Sequence, residues 1–439
     1  MTQLRKRAVA FTLIAFALAL ASPAMALDKQ ATYDEMLALG EQIRQLKPQS
    51  LDAGVAAQLA AAQARYAELS ALLGGDDPAS VQDGAPQAPA VAPAPPPGCF
   101  EIAVTGTNTT PLPIPDSPAP AVSSTITISG AGTYLFDVDL TTAITHTFNG
   151  DLDFTLTSPA GTVVVVSTDN GGAADDVFNG TLWDDQANAP VQFASFTDLV
   201  VETPLTVESA LGAFVGEDPN GTWTLTIGDD AGIDVGTLNS WSLDLVTFAF
   251  APPTTLTSGT NTTPLPIPDS PAPAVSSTIT VTGAGTYLLD ADLTTSITHT
   301  FNADLDFTLT SPAGTTVSVS SNRGGSFDNV FNGTLWNDQA SAPVSEAVFA
   351  DLVTETPLTV ESALAAFAGE DPNGTWTLTI LDEVGLDTGT LASWSLDLTT
   401  AGACFEAPVI QEIPTASTLG LAALALLLAG AAFVALRRG

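Results

Sequence analysis

Aspartate is the residue with which this chain can do chemistry. Asp151 and Asp153 stand two apart in Asp151-Leu152-Asp153-Phe154-Thr155-Leu156-Thr157, and the loop from Asp169 to Asp185 adds Asp175, Asp176, Asp184 and Asp185. Residues two apart on a strand share a face, so the first pair is expected to aim both carboxylates the same way. A hard cation such as calcium takes about six to eight oxygens of this kind. Asp304, Asp306, Asp328 and Asp338 repeat the arrangement, with Asn322, Arg323, Asn329 and Asn337 standing where the first set has Asp169, Asn170, Asp176 and Asp184. Calcium is the cofactor these residues point to, held better by the first set than by the second. The same carboxylates also suit a plainly solvated acidic face. Both readings stay open on residue types alone.

Serine-protease chemistry needs a Ser nucleophile, a His base and an Asp that orients the His. The chain has two histidines, His146 and His299, neither in a His-Gly-Thr-His setting, and it contains no Gly-Thr-Ser-Met-Ala or Gly-x-Ser-x-Gly block. The expectation is no catalysis, with each imidazole satisfying strand or loop groups. Two histidines and two distant cysteines do not make one of the usual zinc ligand sets.

The net charge of −38 comes from 48 acidic and 10 basic residues, and Arg323 is the sole basic residue between Cys99 and Cys404. Such a surface repels phosphate backbones, which argues against nucleic acid as a partner. Cys99 and Cys404 bracket the acidic region in matching Gly98-Cys99-Phe100-Glu101 and Ala403-Cys404-Phe405-Glu406 contexts. In an exported chain they can pair with each other. Free thiols or pairing between chains are the alternatives.

The elements that position these residues are written twice. Asp151 returns 153 residues later as Asp304, Trp183 as Trp336, Trp223 as Trp376 and Trp241 as Trp394. A period this long is that of a whole small domain. Within each copy apolar residues alternate with Thr and Asp, as in Thr222-Trp223-Thr224-Leu225-Thr226-Ile227, and turns such as Ser158-Pro159-Ala160-Gly161 and Asp218-Pro219-Asn220-Gly221 punctuate the runs. Half-buried antiparallel strands in a sandwich follow, with one helical turn or so over Thr206 to Phe214.

The ends read differently. Residues 1–26 have the basic start, apolar run and Ala24-Met25-Ala26 of a secretory signal peptide. Residues 27–75 carry two amphipathic helical stripes around Pro48, predicting a helical hairpin or coiled-coil segment, and 76–98 form a Pro/Ala-rich linker. Residues 419–439 hold an apolar stretch long enough to cross a bilayer, followed by Arg437 and Arg438, whose charges place them on the cytoplasmic side.

Two resemblances rest on these residues. The blocks His146 to Thr162, Gly216 to Leu225 and Asp234 to Leu243, each repeated in the second copy, resemble the P domain, or P/Homo B domain, of subtilisin-like proprotein convertases. That resemblance implies two tandem jelly-roll β-sandwich domains, over 99–250 and 251–404, and a link to serine endopeptidases in which the P domain follows a catalytic domain. Ile413-Pro414-Thr415, in the linker 405–418, together with the apolar helix and the Arg pair, resembles sorting signals of the IPTL-CTERM and PEP-CTERM kind, although Ala416 and Thr418 depart from the usual pattern. An exosortase-type sorting enzyme is the partner this implies.

The expected whole is a mainly β, exported, envelope-directed protein, membrane-anchored at least before C-terminal processing. It carries binding or structural modules. A serine-protease accessory role and a carbohydrate or extracellular-matrix partner are the alternative readings.

Overall fold

In the computed structural model of the chain, the structure describes Gln58, Arg65, Cys99 and residues 101–187 and 189–402. Contacts divide the chain at Asp76. Of the first unit, Gln58 and Arg65 are described, and both are α-helical. The signal peptide, the linkers, the sorting motif and the apolar stretch from Leu419 lie outside the described residues. Among the described residues no helix is long and apolar enough to cross a membrane.

Both copies belong to the second unit. The first contains β1 (Glu101–Asn108), β2 (Leu112–Ile114), β3 (Val122–Ile128), β4 (Tyr134–His146), β5 (Leu152–Thr157), β6 (Val163–Thr168), β7 (Asn179–Trp183), β8 (Gly221–Asp229) and β9 (Gly236–Phe248). One sheet runs β1-β9-β4-β7 with β2 also on β9, and the other runs β3-β8-β5-β6. Leaving β2 aside, the pairs β1 with β9, β3 with β8, β4 with β7 and β5 with β6 are nested one inside the next. A long hairpin rolled up on itself has this order, which is that of a jelly roll.

The second copy repeats it with β10 (Thr254–Asn261), β11 (Leu265–Ile267), β12 (Val275–Val281), β13 (Leu288–His299), β14 (Leu305–Thr310), β15 (Thr316–Ser321), β16 (Asn332–Trp336), β17 (Gly374–Asp382) and β18 (Gly389–Ala401). Its sheets run β10-β18-β13-β16 and β12-β17-β14-β15.

Alternation in sequence becomes alternation in burial. In β8, Trp223, Leu225 and Ile227 are fully buried while the intervening threonines stay half-exposed. Each copy has its own apolar core, drawn from both of its sheets. The six tryptophans anchor these cores, and each buried indole N–H finds an acceptor: Trp183 donates to Thr142 Oγ1 at 2.9 Å, Trp223 to the Pro219 carbonyl at 3.0 Å and Trp241 to Ser124 Oγ at 2.9 Å. The expected helical turn is a short 3-10 helix, Leu211–Phe214, matched by Leu364–Phe367.

Cys99 is disulfide-bonded. The chain's other cysteine, Cys404, lies outside the described residues, but Cys99 Sγ stands 4.0 Å from the carbonyl oxygen of Gly402. The beginning of the first module therefore meets the end of the second, where Cys99, Phe248, Tyr287, Leu289 and Ala401 form a small apolar cluster of their own.

Candidate functional site

The ten carboxylates singled out from the sequence fall into separate places, and the first is the contact between the two modules. Asp185 is buried and accepts the N–H of Leu211 at 3.1 Å and of Gly212 at 2.7 Å, capping the 3-10 helix. Asp338 does the same for Leu364 at 3.0 Å and Ala365 at 2.7 Å. The neighbouring glutamines cross over: Gln186 Nε2 donates to the Ala365 carbonyl at 3.3 Å, and Gln339 Nε2 donates to the Gly212 carbonyl at 3.3 Å. Each module thus offers the same surface to the other, as two-fold-related partners do.

Around this contact the carboxyls are held above their ordinary range. Burial, then the charge of Asp184, pushes Asp137 up to about 6. Burial, then the charges of Asp137, Asp184 and Asp244, pushes Asp139 up to about 8. Burial raises Asp338 to about 7 and lifts Asp185 well above its ordinary value, with the charge of Asp338 adding to the second effect. Asp184 takes the N–H of Gln186 at 2.7 Å.

The second place lies at the loop after β6. Glu208 is 2% exposed; its Oε1 accepts the Thr168 N–H at 3.1 Å and a hydrogen bond from the Asn170 amide. Its Oε2 is buried without a hydrogen-bond partner. Burial pushes Glu208 up to about 7, and the more distant charge of Glu346, from the second module, acts in the same direction. Asp169, at φ 57°, is raised to about 6 by burial, then by Asp230 and Asp153. In the second module Glu361, fully buried, holds Arg323 Nε at 2.6 Å. The guanidinium carbon of Arg323 sits 5.7 Å from the ring centre of Phe193, which belongs to the first module. Asp306 accepts the Asn322 N–H at 3.0 Å, and burial together with Glu383 raises it to about 9.

The third place is the turn before β5. Asp151 and Asp153 do not lie together on a strand as expected: Asp151 closes a 3-10 turn, Asn149–Asp151, whose last N–H returns to the Phe148 carbonyl at 3.2 Å, and the strand begins at Leu152. Asp151 is buried and Asp153 half-buried, and Asp304 and Asp306 divide in the same way between turn and strand. Nearby, Asp176 Oδ1 accepts the His146 N–H at 2.9 Å, while the Asp175 and Asp328 N–H groups donate to Asp198 and Asp351. Among the described residues, no three His, Cys, Asp or Glu side chains come together in a way that could hold a metal ion.

The histidines serve the same turns. His146 is 1% exposed, with Nδ1 2.8 Å from the Phe148 carbonyl and Nε2 3.2 Å from Asp229 Oδ2. His299 repeats both contacts with Phe301 and Asp382 at 2.8 and 3.2 Å. Both imidazoles are thus built into the fold.

The model of the proprotein convertase P-domain matches residues 135–245 and again 288–398, together about half of the chain. The chain belongs to the proprotein convertase P-domain family. No curated protein matches the chain. Among solved structures, the serine protease of Aeromonas sobria in complex with its chaperone ORF2 is similar at 20% identity and a TM-score of 0.24, over 35% of this chain and 28% of that one. The structure of the Aeromonas sobria protease alone gives 20% identity and a TM-score of 0.23, over 34% and 28%. PNGase F, a glycosylasparaginase from Flavobacterium meningosepticum, gives 9% identity and a TM-score of 0.21 over 70% of this chain and 97% of that one. The chain therefore spans about a quarter of the proteases' length.

Within the P-domain modules, the sequence singles out Asp185 and Asp338 as candidate calcium ligands, and in the structure each accepts two backbone N–H groups of a 3-10 helix at the module contact. Glu208 and Glu361 are marked by no motif. One signal was available: Arg323, the lone basic residue between the two cysteines, replaces an asparagine of the other copy.

Proposed function

We propose that the tandem P-domains act as one noncatalytic binding unit of an exported, envelope-directed protein. The observation that carries the noncatalytic part is the use of both histidines as internal struts, each with its two ring nitrogens engaged by the turn before the next strand and by a buried aspartate. An imidazole so placed has no nitrogen turned toward a substrate to accept a nucleophile's proton. Export and sorting rest on the sequence of the two ends, with an exosortase-type enzyme as the processing partner. The six buried tryptophans leave no indole ring on the surface for stacking on sugars, which supports a protein partner over a carbohydrate one.

The experiment is hydrolysis of a generic peptide library by the purified full chain. The reading expects no cleavage above background. Cleavage abolished by a serine-directed inhibitor would overturn it.

Family membership favours one second reading, in which the modules are an accessory part of subtilisin- or kexin-like proteolysis carried out by a separate chain. Co-purification of a subtilisin-like protease, together with a change in that protease's activity on adding the full chain, is the outcome expected of it.

A further inference from the structure

Both modules hold a leucine out to solvent in a backbone conformation that does not suit leucine. Leu199 and Val200 are 67% and 51% exposed, and so are their counterparts in the second module, Leu352 and Val353. Each leucine stands at φ 59°, where glycine or asparagine is at ease and a leucine is strained. Burial does not offset that cost, because the side chain lies in water. The turn itself is fixed by other groups. The Leu352 N–H donates to the Asp328 carbonyl at 2.9 Å, the Asp328 N–H to Asp351 Oδ1 at 2.9 Å and the Val353 N–H to the Ala350 carbonyl at 3.1 Å. In the first module the Leu199 N–H donates to the Asp175 carbonyl at 2.8 Å, and the Asp175 N–H to Asp198 Oδ1 at 2.8 Å. These bonds use only the main chain of the leucine, so they explain the turn and not the side chain. Strain that the fold does not require points to a functional surface.

Around this shared pair the copies differ. Phe327, 37% exposed, stands where the first module has Ala174, and Val348, 87% exposed, where it has Ser195. Phe327 precedes Asp328, whose N–H and carbonyl both bond the leucine turn. The bridge between Ala350 and Val353 folds the chain back on itself two residues after Val348. The second module thus offers four large apolar side chains on adjoining segments, where the first offers two. Exposed apolar groups gathered in this way mark interaction sites. Charge decides what covers them. The acidic residues interleaved with the four are Asp328, Glu346, Asp351 and Glu355, and Arg323, the sole basic residue between Cys99 and Cys404, is held by Glu361. A second copy at net charge −38, or an anionic lipid surface, would bring the same sign of charge. A segment with an apolar face flanked by Lys or Arg matches both features.

We propose that the surface of the second module carrying Phe327, Val348, Leu352 and Val353 docks a basic amphipathic segment of a partner protein. The first module, with Leu199 and Val200 alone, binds the same segment more weakly. This names the partner class of the binding unit proposed above and rests on that reading. The two fail separately: cleavage of peptides would sink the earlier reading, and loss of docking without cleavage would sink this one alone.

The test is an NMR titration of the ¹⁵N-labelled full chain with a peptide of leucine and lysine patterned as an amphipathic helix. A serine and lysine peptide of equal charge, phosphatidylglycerol vesicles and a dilution series of the protein alone are run beside it. The expected result is a saturable shift of the Leu352 and Asp328 N–H groups, with the leucine peptide binding about tenfold or more tightly than the serine peptide and losing affinity as salt is added. Leu352→Asn should weaken binding about tenfold without lowering the melting temperature, since asparagine tolerates the positive φ. Phe327→Ala with Val348→Ser, the residues of the first module, should bring the affinity read at Leu352 down to that read at Leu199. Equal binding of the two peptides, parent affinity in Leu352→Asn, or shifts at Leu352 that arise from the vesicles or from concentrating the protein and not from the leucine peptide would overturn the proposal.

Discussion

Gly212 and Ala365 occupy equivalent positions in the two modules and meet each other at the contact between them: a Cβ built on Gly212 would lie 2.7 Å from Ala365 Cβ and 2.8 Å from Asp338 Oδ2. Where a residue faces its own counterpart, two methyl groups do not fit in the space of one. The difference between the copies at this position is thus required by their pairing. Gly212→Ala should cost about 1–3 kcal/mol through overpacking. The exchange Gly212→Ala with Ala365→Gly should recover most of that loss, because it restores one methyl group at the contact. Thermal unfolding of the single and double variants checks both, and a double variant no better than the single one contradicts the pairing.

The carboxyls at this contact make stability depend on pH. Asp338 rises to about 7, Asp139 to about 8 and Asp137 to about 6, and Asp185 moves in the same direction. A folded value above the unfolded one means that the stabilising form is the protonated one. Its contribution is complete below the unfolded value near 4 and is lost as pH rises through the folded value. The charged neighbours Asp184, Asp290 and Asp292 are acidic too, and none of them reverses the sign. The melting temperature should therefore fall from pH 6 to pH 8.5, and Asp338→Asn should flatten that fall while losing one of the two N–H bonds to the 3-10 helix.

Removing His146 should act on stability alone. His146→Phe leaves the buried carboxylate of Asp229 without its imidazole partner, and a loss of about 2–4 kcal/mol is expected by denaturant unfolding. His299→Phe should cost a similar amount through Asp382. A variant that unfolds like the parent would show that the imidazole is not a strut.

Chelation gives the corresponding test for calcium. Asp185 and Asp338 already accept two backbone N–H groups each, and Asp151 and Asp153 divide between a turn and a strand. The melting temperature should be the same in millimolar calcium and in chelator. A rise in calcium, larger when the first module is intact, would restore the cation site expected from residue types.

Much of this architecture is legible in the sequence because period-two alternation and turn chemistry are local. Thr222 to Ile227 already has the pattern of a half-buried strand, and Asp218 to Gly221 that of a turn, with Gly221 at φ 142° where an added Cβ would press on Pro159. The 153-residue offset carries the module count in the same way. Asp151 stands in a turn rather than on the expected strand because short-range N–H bonds, Asp151 to Phe148 and Leu152 to Asn149, close a 3-10 turn that leaves no trace in the apolar pattern. Gln186, Gln339 and Gly212 were illegible for a different reason. Their roles arise where two surfaces meet, and nothing in a linear sequence records which surface faces which. Glu208 belongs to the same class, since its neighbours Asn170 and Thr168 are about forty residues away in the chain.

Reciprocal contacts join the two P-domains into a single body, and calorimetric unfolding of the full chain measures this most directly. One cooperative transition that moves as a whole to lower temperature in Gly212→Ala is the predicted result. Two separate transitions in the parent, with Gly212→Ala moving neither of them, would contradict it.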